Sequence, residues 1–174
     1  KLEIWFKPDL TQQGYIIGAQ SPGKADSVFK MYLNNRGILE AALAGRKVDL
    51  QLENKWYHLE MSFADGLWAN GEKIGDYTVN ISGTYNIPFG INFLNDVPGE
   101  PSQSNGNFGM IKITIDGVTN VIIPTEDGFK NITTNQSLET VYNEGTYEYD
   151  SAENTGEYAD GTPFYEYADI KDYV

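Results

Sequence analysis

Apolar and polar residues alternate one by one over much of this chain, most clearly across residues 55–75, KWYHLEMSFADGLWANGEKIG. Tyr57, Leu59, Met61 and Phe63 recur at period two with His58, Glu60 and Ser62 between them, which predicts a half-buried strand. Asp65-Gly66 ends it, Leu67-Trp68-Ala69 makes a short second strand, and Asn70-Gly71 closes that one. Both dipeptides accept the positive φ angles of two-residue hairpin turns, so the segment predicts an antiparallel meander.

The same pattern predicts strands at residues 2–7, 14–18, 28–33, 38–43, 48–52, 57–63, 67–69, 77–81, 89–93, 109–115 and 121–123. Pro22-Gly23, Asn35-Arg36-Gly37, Pro98-Gly99, Asn105-Gly106, Asp116-Gly117 and Asp127-Gly128 punctuate them at the short intervals of a sandwich or barrel. No stretch of ten residues carries a helical stripe; residues 38–44 are the nearest, and the following Gly45 favours a strand. Residues 99–109, GEPSQSNGNFG, have the composition of a long surface loop. No repeat suggests a propeller or solenoid.

At 174 residues the chain can bury one substantial core, and we expect a single β domain over residues 1–130 with an appendage over 131–174. It lacks cysteine, which excludes disulfides and thiolate zinc sites. A soluble chain is expected, because no apolar run approaches the roughly 20 residues of a membrane-spanning helix. Residues 1–6 already alternate like a strand, as in a chain that starts inside a longer polypeptide or after a processed segment. The net charge of −13 argues against nucleic acid, whose affinity depends on Lys and Arg displacing counterions. Ten acids and one base, Lys171, follow Ser137, so the body is near neutral and the tail is not. Seven of the 12 tyrosines also lie there, and so many aromatics disfavour plain disorder. Residues 146–149 and 164–167 read either as short strands or as segments extended along a neighbouring subunit, with Tyr147, Tyr149, Tyr158, Tyr165 and Tyr167 as partner contacts.

These residues support a resemblance. KLEIWFKP at residues 1–8, followed by GYIIG at 14–18, resembles the opening of laminin G-like and concanavalin A-like sandwiches. Trp56-Tyr57-His58-Leu59 with Asn70-Gly71 is similar to that superfamily's Trp-x-His strand and Asn-Gly hairpin, and residues 88–92 and 109–113 are similar to its late strands. The likeness covers roughly residues 1–125 and implies an all-β, antiparallel jelly-roll β-sandwich, followed by a C-terminal extended acidic Tyr-rich segment. Together with PTEDGFKN at 124–131, it looks like divergent modules of bacteriophage virion proteins and of gut-bacterial surface proteins. It implies a virion appendage such as a head fibre, tail fibre or decoration protein.

The candidate chemistry is thin. Glu148, Asp150 and Glu153 have the Glu-x-Asp-x-x-Glu spacing of concanavalin A-like glucanases, whose two carboxylates stand about 5–5.5 Å apart in a retaining mechanism. Their neighbours Ser151 and Ala152 depart from the apolar flanks of those enzymes, and acids are dense there, so no enzyme is expected. His58 is the only histidine, which excludes a histidine-based metal cluster and two-histidine chemistry, and it reads as structural or solvated. Lectin domains of the resembled type often bind calcium at loop tips, and Asn95-Asp96 is the matching candidate here. For a glycan, Trp68 and Tyr85 offer rings, and Asn70, Asn95 and Asp96 offer polar contacts; Trp68 packing on the sheet is the plainer alternative. The expected function is non-enzymatic: a virion component contacting other virion subunits, copies of itself or host surface glycans, without membrane insertion. The alternative is a bacterial surface or secreted carbohydrate-binding module.

Overall fold

A computed structural model describes residues 1–11, 13–20, 27–43, 46–62, 64–76, 106–138, 145–150, 156–157, 163–164 and 167–172. Every regular element among them is a strand. In chain order these are β1 (Leu2–Pro8), β2 (Gly14–Gln20), β3 (Ser27–Leu33), β4 (Ile38–Leu43), β5 (Arg46–Gln51), β6 (Tyr57–Ser62), β7 (Gly66–Ala69) and β8 (Glu72–Gly75). There follow β9 (Gly106–Ile115), β10 (Val118–Thr125), β11 (Gly128–Asn131), β12 (Gln136–Ser137), β13 (Gly145–Asp150), β14 (Gly156–Glu157), β15 (Pro163–Phe164) and β16 (Tyr167–Asp172).

The strands form two principal antiparallel sheets and a small β14–β15 pair. The long sheet runs β12-β11-β10-β9-β1-β6-β7-β8, and β2-β3-β4-β5 make the short one. Their alternation supplies a common core. Ile4, Phe6, Leu59, Leu67, Phe108 and Ile111 come from the long sheet, and Ile17, Met31, Leu33 and Leu39 from the short one; all are wholly buried in a single cluster. The approach is close at Val48 of β5 and Gly75 of β8, where a Cβ on Gly75 would lie 2.8 Å from a Val48 methyl.

Turn chemistry acts largely as its residues require. Asn70 (φ 50°) and Gly71 (φ 79°) join the Ala69↔Glu72 pair, and Asp116 (φ 49°) and Gly117 (φ 77°) join Ile115↔Val118, both with the doubly positive φ of a two-residue hairpin. Asp65-Gly66 differs: Ser62 pairs Gly66, so three residues form that connection. At Asn34, the side-chain Oδ1 accepts from the amides of Arg36 and Ile38, fixing the β3–β4 turn.

Two differences from the sequence reading stand out. β9 begins at Gly106, inside the stretch read as a loop, because Phe108 pairs with Phe6 in the core. There glycine serves close approach, since a Cβ on Gly106 would strike the Lys7 carbonyl and the Phe6 ring. β8 and β11, too polar or too short to stand out in sequence, extend the two ends of the long sheet. In the acidic segment, where the sequence left short strands and partner contacts open, strands form and join that sheet: β13 pairs β16, and β16 pairs the start of β9 at Phe108↔Ala168 and Gly106↔Ile170. The sheet therefore forks. β10 leaves β9 after Ile122↔Ile111, and Pro124 has no N–H to serve a second neighbour, so β16 takes the edge that β10 vacates. The strands expected at 77–81 and 89–93 lie outside the described residues.

The close contact between sheets gives a direct test. Gly75→Ala should destabilise the fold by roughly 1–3 kcal/mol through overpacking, and Val48→Ala in the same chain should recover part of that loss. Urea unfolding of the two single variants and the double variant measures the coupling; strictly additive losses would mean that the two residues do not meet.

Candidate functional site

The solvent side of the long sheet follows from the same alternation that builds the core. In β1, Leu2, Ile4 and Phe6 turn inward, leaving Glu3, Trp5 and Lys7 outward; in β6, Tyr57, Leu59 and Met61 turn inward, leaving His58, Glu60 and Ser62 outward. The register sets Glu3 opposite Glu60 and Trp5 opposite His58. Continued across the sheet, one row reads Lys112 (β9), Glu3 (β1), Glu60 (β6), Trp68 (β7) and Lys73 (β8).

Trp5 anchors this face. It is only 4% exposed although it lies outside the common core, because Trp56 and Met110 pack against it as a second, small cluster. Gly109 and Met110 oppose it as a bulge in β9, between the pairs Ile4↔Ile111 and Phe6↔Phe108. The His58 imidazole stacks on the indole at 4.2 Å and 4° between planes, while Lys112 Nζ stands 5.2 Å from the same ring centroid. β1 lies between β6 and β9, so the two approach Trp5 from opposite neighbouring strands.

Two carboxylates directly opposite each other repel, and this sheet places Glu3 and Glu60 so. Positive and polar groups gather around them. Lys1 Nζ reaches Glu60 at 2.5 Å and Glu3 at 3.5 Å, and His58 sets Nε2 at 3.3 Å from Glu3 and Nδ1 at 3.8 Å from Glu60. Burial pulls the Lys1 ammonium pKa down, but the bonds and charges of Glu60 and Glu3 outweigh that, and it lies above its ordinary value of 10.5. Among the described residues, Glu3, His58 and Glu60 form the one group able to offer a metal three ligand atoms, all within 4.8 Å of one another.

Of the ligand residues expected from sequence, Trp68 and Asn70 are described. Trp68 is half-buried beside Glu60; its Nε1 donates to the Asp65 carbonyl, and Lys73 Nζ lies 5.9 Å from its ring centroid. Lys73 itself bonds Asp76, which raises its pKa. Asn70 pins His58: its Oδ1 accepts from the His58 amide at 2.8 Å, and its own amide donates to the His58 carbonyl at 2.8 Å. Tyr85, Asn95 and Asp96, and with them the calcium candidate, lie outside the described residues, as do Tyr158, Tyr165 and Glu153. Tyr147, Tyr149, Glu148 and Asp150 belong to β13, and Tyr167 to β16. The sequence reading singled out neither Trp5 nor the Glu3–Glu60 pair. The alternation at residues 2–7 placed Trp5 on a polar face, but which strand lay beside it is a matter of tertiary pairing.

Asn70→Ala should cost about 1–2 kcal/mol, losing a side-chain bond and a residue suited to positive φ, whereas Asn70→Gly should keep the turn and cost less. Thermal unfolding separates the two. The raised pKa of Lys1 adds stability that is fully present below the unfolded-state value near 10.5 and is lost as pH rises through the higher folded-state value. With the side chain 42% exposed this is at most about 1 kcal/mol, and it should vanish from the alkaline stability profile in Lys1→Met.

Comparison of the chain with protein-family models, with curated proteins and with solved structures gave no match. Among the described residues the fold is all-β with two principal antiparallel sheets, and the chemistry of its solvent face is its own guide to function.

Proposed function

We propose that this chain is a non-enzymatic adhesion and assembly module of a bacteriophage virion, built on a concanavalin A-like jelly-roll. One observation carries the adhesion half: Trp68 stands half-buried between Glu60 and Lys73 on the solvent face of a hydrogen-bonded sheet. A ring flanked by an acceptor and a donor is the minimal arrangement for holding a sugar, the ring stacking on its apolar face and the charged groups bonding its hydroxyls. Strands hold such groups more rigidly than loops do.

The assembly half draws on the fork. Among the described residues, β13 pairs only with β16, so its other edge offers backbone groups to a strand of a neighbouring copy. Tyr147 and Tyr149 lie on that strand, and tyrosine suits subunit contacts. The reading as a bacterial surface or secreted carbohydrate-binding module uses the same Trp68 platform on a chain that does not assemble.

A glycan array with the intact chain should give hits that Trp68→Ala weakens at least about tenfold, the effect of losing a central aromatic contact. Light scattering on the same sample should give a mass above 19.4 kDa. Glycan binding by a monomer would favour the carbohydrate-binding module; a monomer that binds no glycan would overturn both readings.

A further inference from the structure

We propose that Glu3, His58 and Glu60 bind a divalent first-row transition metal, zinc fitting best, with Lys1 serving as the stand-in cation when no metal is bound. The proposal shares Glu60 with the adhesion reading and otherwise does not depend on it. Its starting point is the directly opposed glutamate pair, an arrangement that β-sheets disfavour. Beside that pair the sheet places an imidazole, and one His58 nitrogen and an oxygen of each carboxylate lie within 4.8 Å of one another.

The geometry suits a small cation. His58 Nε2 and Glu3 Oε1 are 3.3 Å apart, and two ligands each bonded at about 2.0–2.1 Å to one metal stand roughly 3.0–3.4 Å apart. A metal can therefore take the place of the present hydrogen bond without moving either strand. Glu60 faces the other ring nitrogen at 3.8 Å and completes the set by turning its carboxylate toward Glu3, its cross-strand neighbour.

The histidine is held in place from two sides. Stacking on Trp5 fixes the ring plane, and the two Asn70 bonds fix the backbone that carries it. Side-chain exposures of 15% for Glu3 and His58 and 22% for Glu60 leave the site reachable yet poorly hydrated. Lys1, 42% exposed on a flexible stem, can leave for solvent when a dication arrives, which exchanges one positive charge for two. One imidazole with two carboxylates suits zinc, with water completing the tetrahedron, whereas calcium seeks six to eight oxygens.

The test uses the whole chain after chelator treatment. Saturating Zn²⁺ should raise Tm by roughly 5 °C, and Ca²⁺ at the same concentration should leave it unmoved. Co²⁺ should quench tryptophan emission, the stacked Trp5 ring and Trp68 opposite Glu60 both lying close, and the quenching should fall in Trp5→Phe. Glu3→Gln and Glu60→Gln relieve the carboxylate repulsion and should fold; each, like His58→Gln, should weaken Zn²⁺ binding at least about tenfold. Absence of any zinc-induced shift in Tm would overturn the proposal. So would zinc binding left intact by His58→Gln, or an equal response to calcium.

Discussion

Everything on both faces of the long sheet depends on the register of β1 between β6 and β9. Along this strand Leu2, Ile4 and Phe6 are buried in the common core, and Trp5 is buried on the other side, so few positions are indifferent to which way they point. Because side chains alternate strictly, a slip of one residue would drive Glu3 and Trp5 into the core and turn Ile4 and Phe6 out. The core thus fixes the register, and the register in turn sets Trp5 against His58 and Glu3 against Glu60. The outer cluster is a consequence of inner packing before it is anything else.

That dependence explains what could be read from the sequence. The half-buried strand at β6 and the two-residue turns at Asn70-Gly71 and Asp116-Gly117 are local features, governed by alternation and by residues that accept positive φ, and they were legible. The start of β9 was not, since Gly106 and Asn107 look like loop residues and join the strand only because Phe6 and Lys7 lie beside them. The site was hidden for the same reason. His58 and Glu60 were visible on a polar face, but Glu3 and Trp5 stand more than fifty positions away in sequence and meet them only through β1–β6 pairing.

The outer cluster also shows how a sheet can carry an unfavourable pair. Opposed glutamates repel, yet Lys1 reaches both of them and the His58 imidazole stands 3.3 Å from Glu3. Partial burial raises the energies of attraction and repulsion together. Such a cluster responds sharply to any change in its charge, whether a proton, a lysine or a metal supplies it.

The fork at β9 bears on how the molecule comes into being. One edge of this strand is completed by β1, near the beginning of the described chain, and part of the other by β16, near its end. Phe108 leaves the ribosome about 60 residues before its partner Ala168, which at about 5–20 residues per second is a wait of roughly 3–12 s. Until then the first residues of β9, with a core phenylalanine among them, present an open strand edge to whatever is nearby. Pairings so distant in sequence also close slowly once the whole chain is available. The sheet can therefore be finished only after β16 has emerged, and the interval before it is when this chain is most exposed to pairing with the wrong strand.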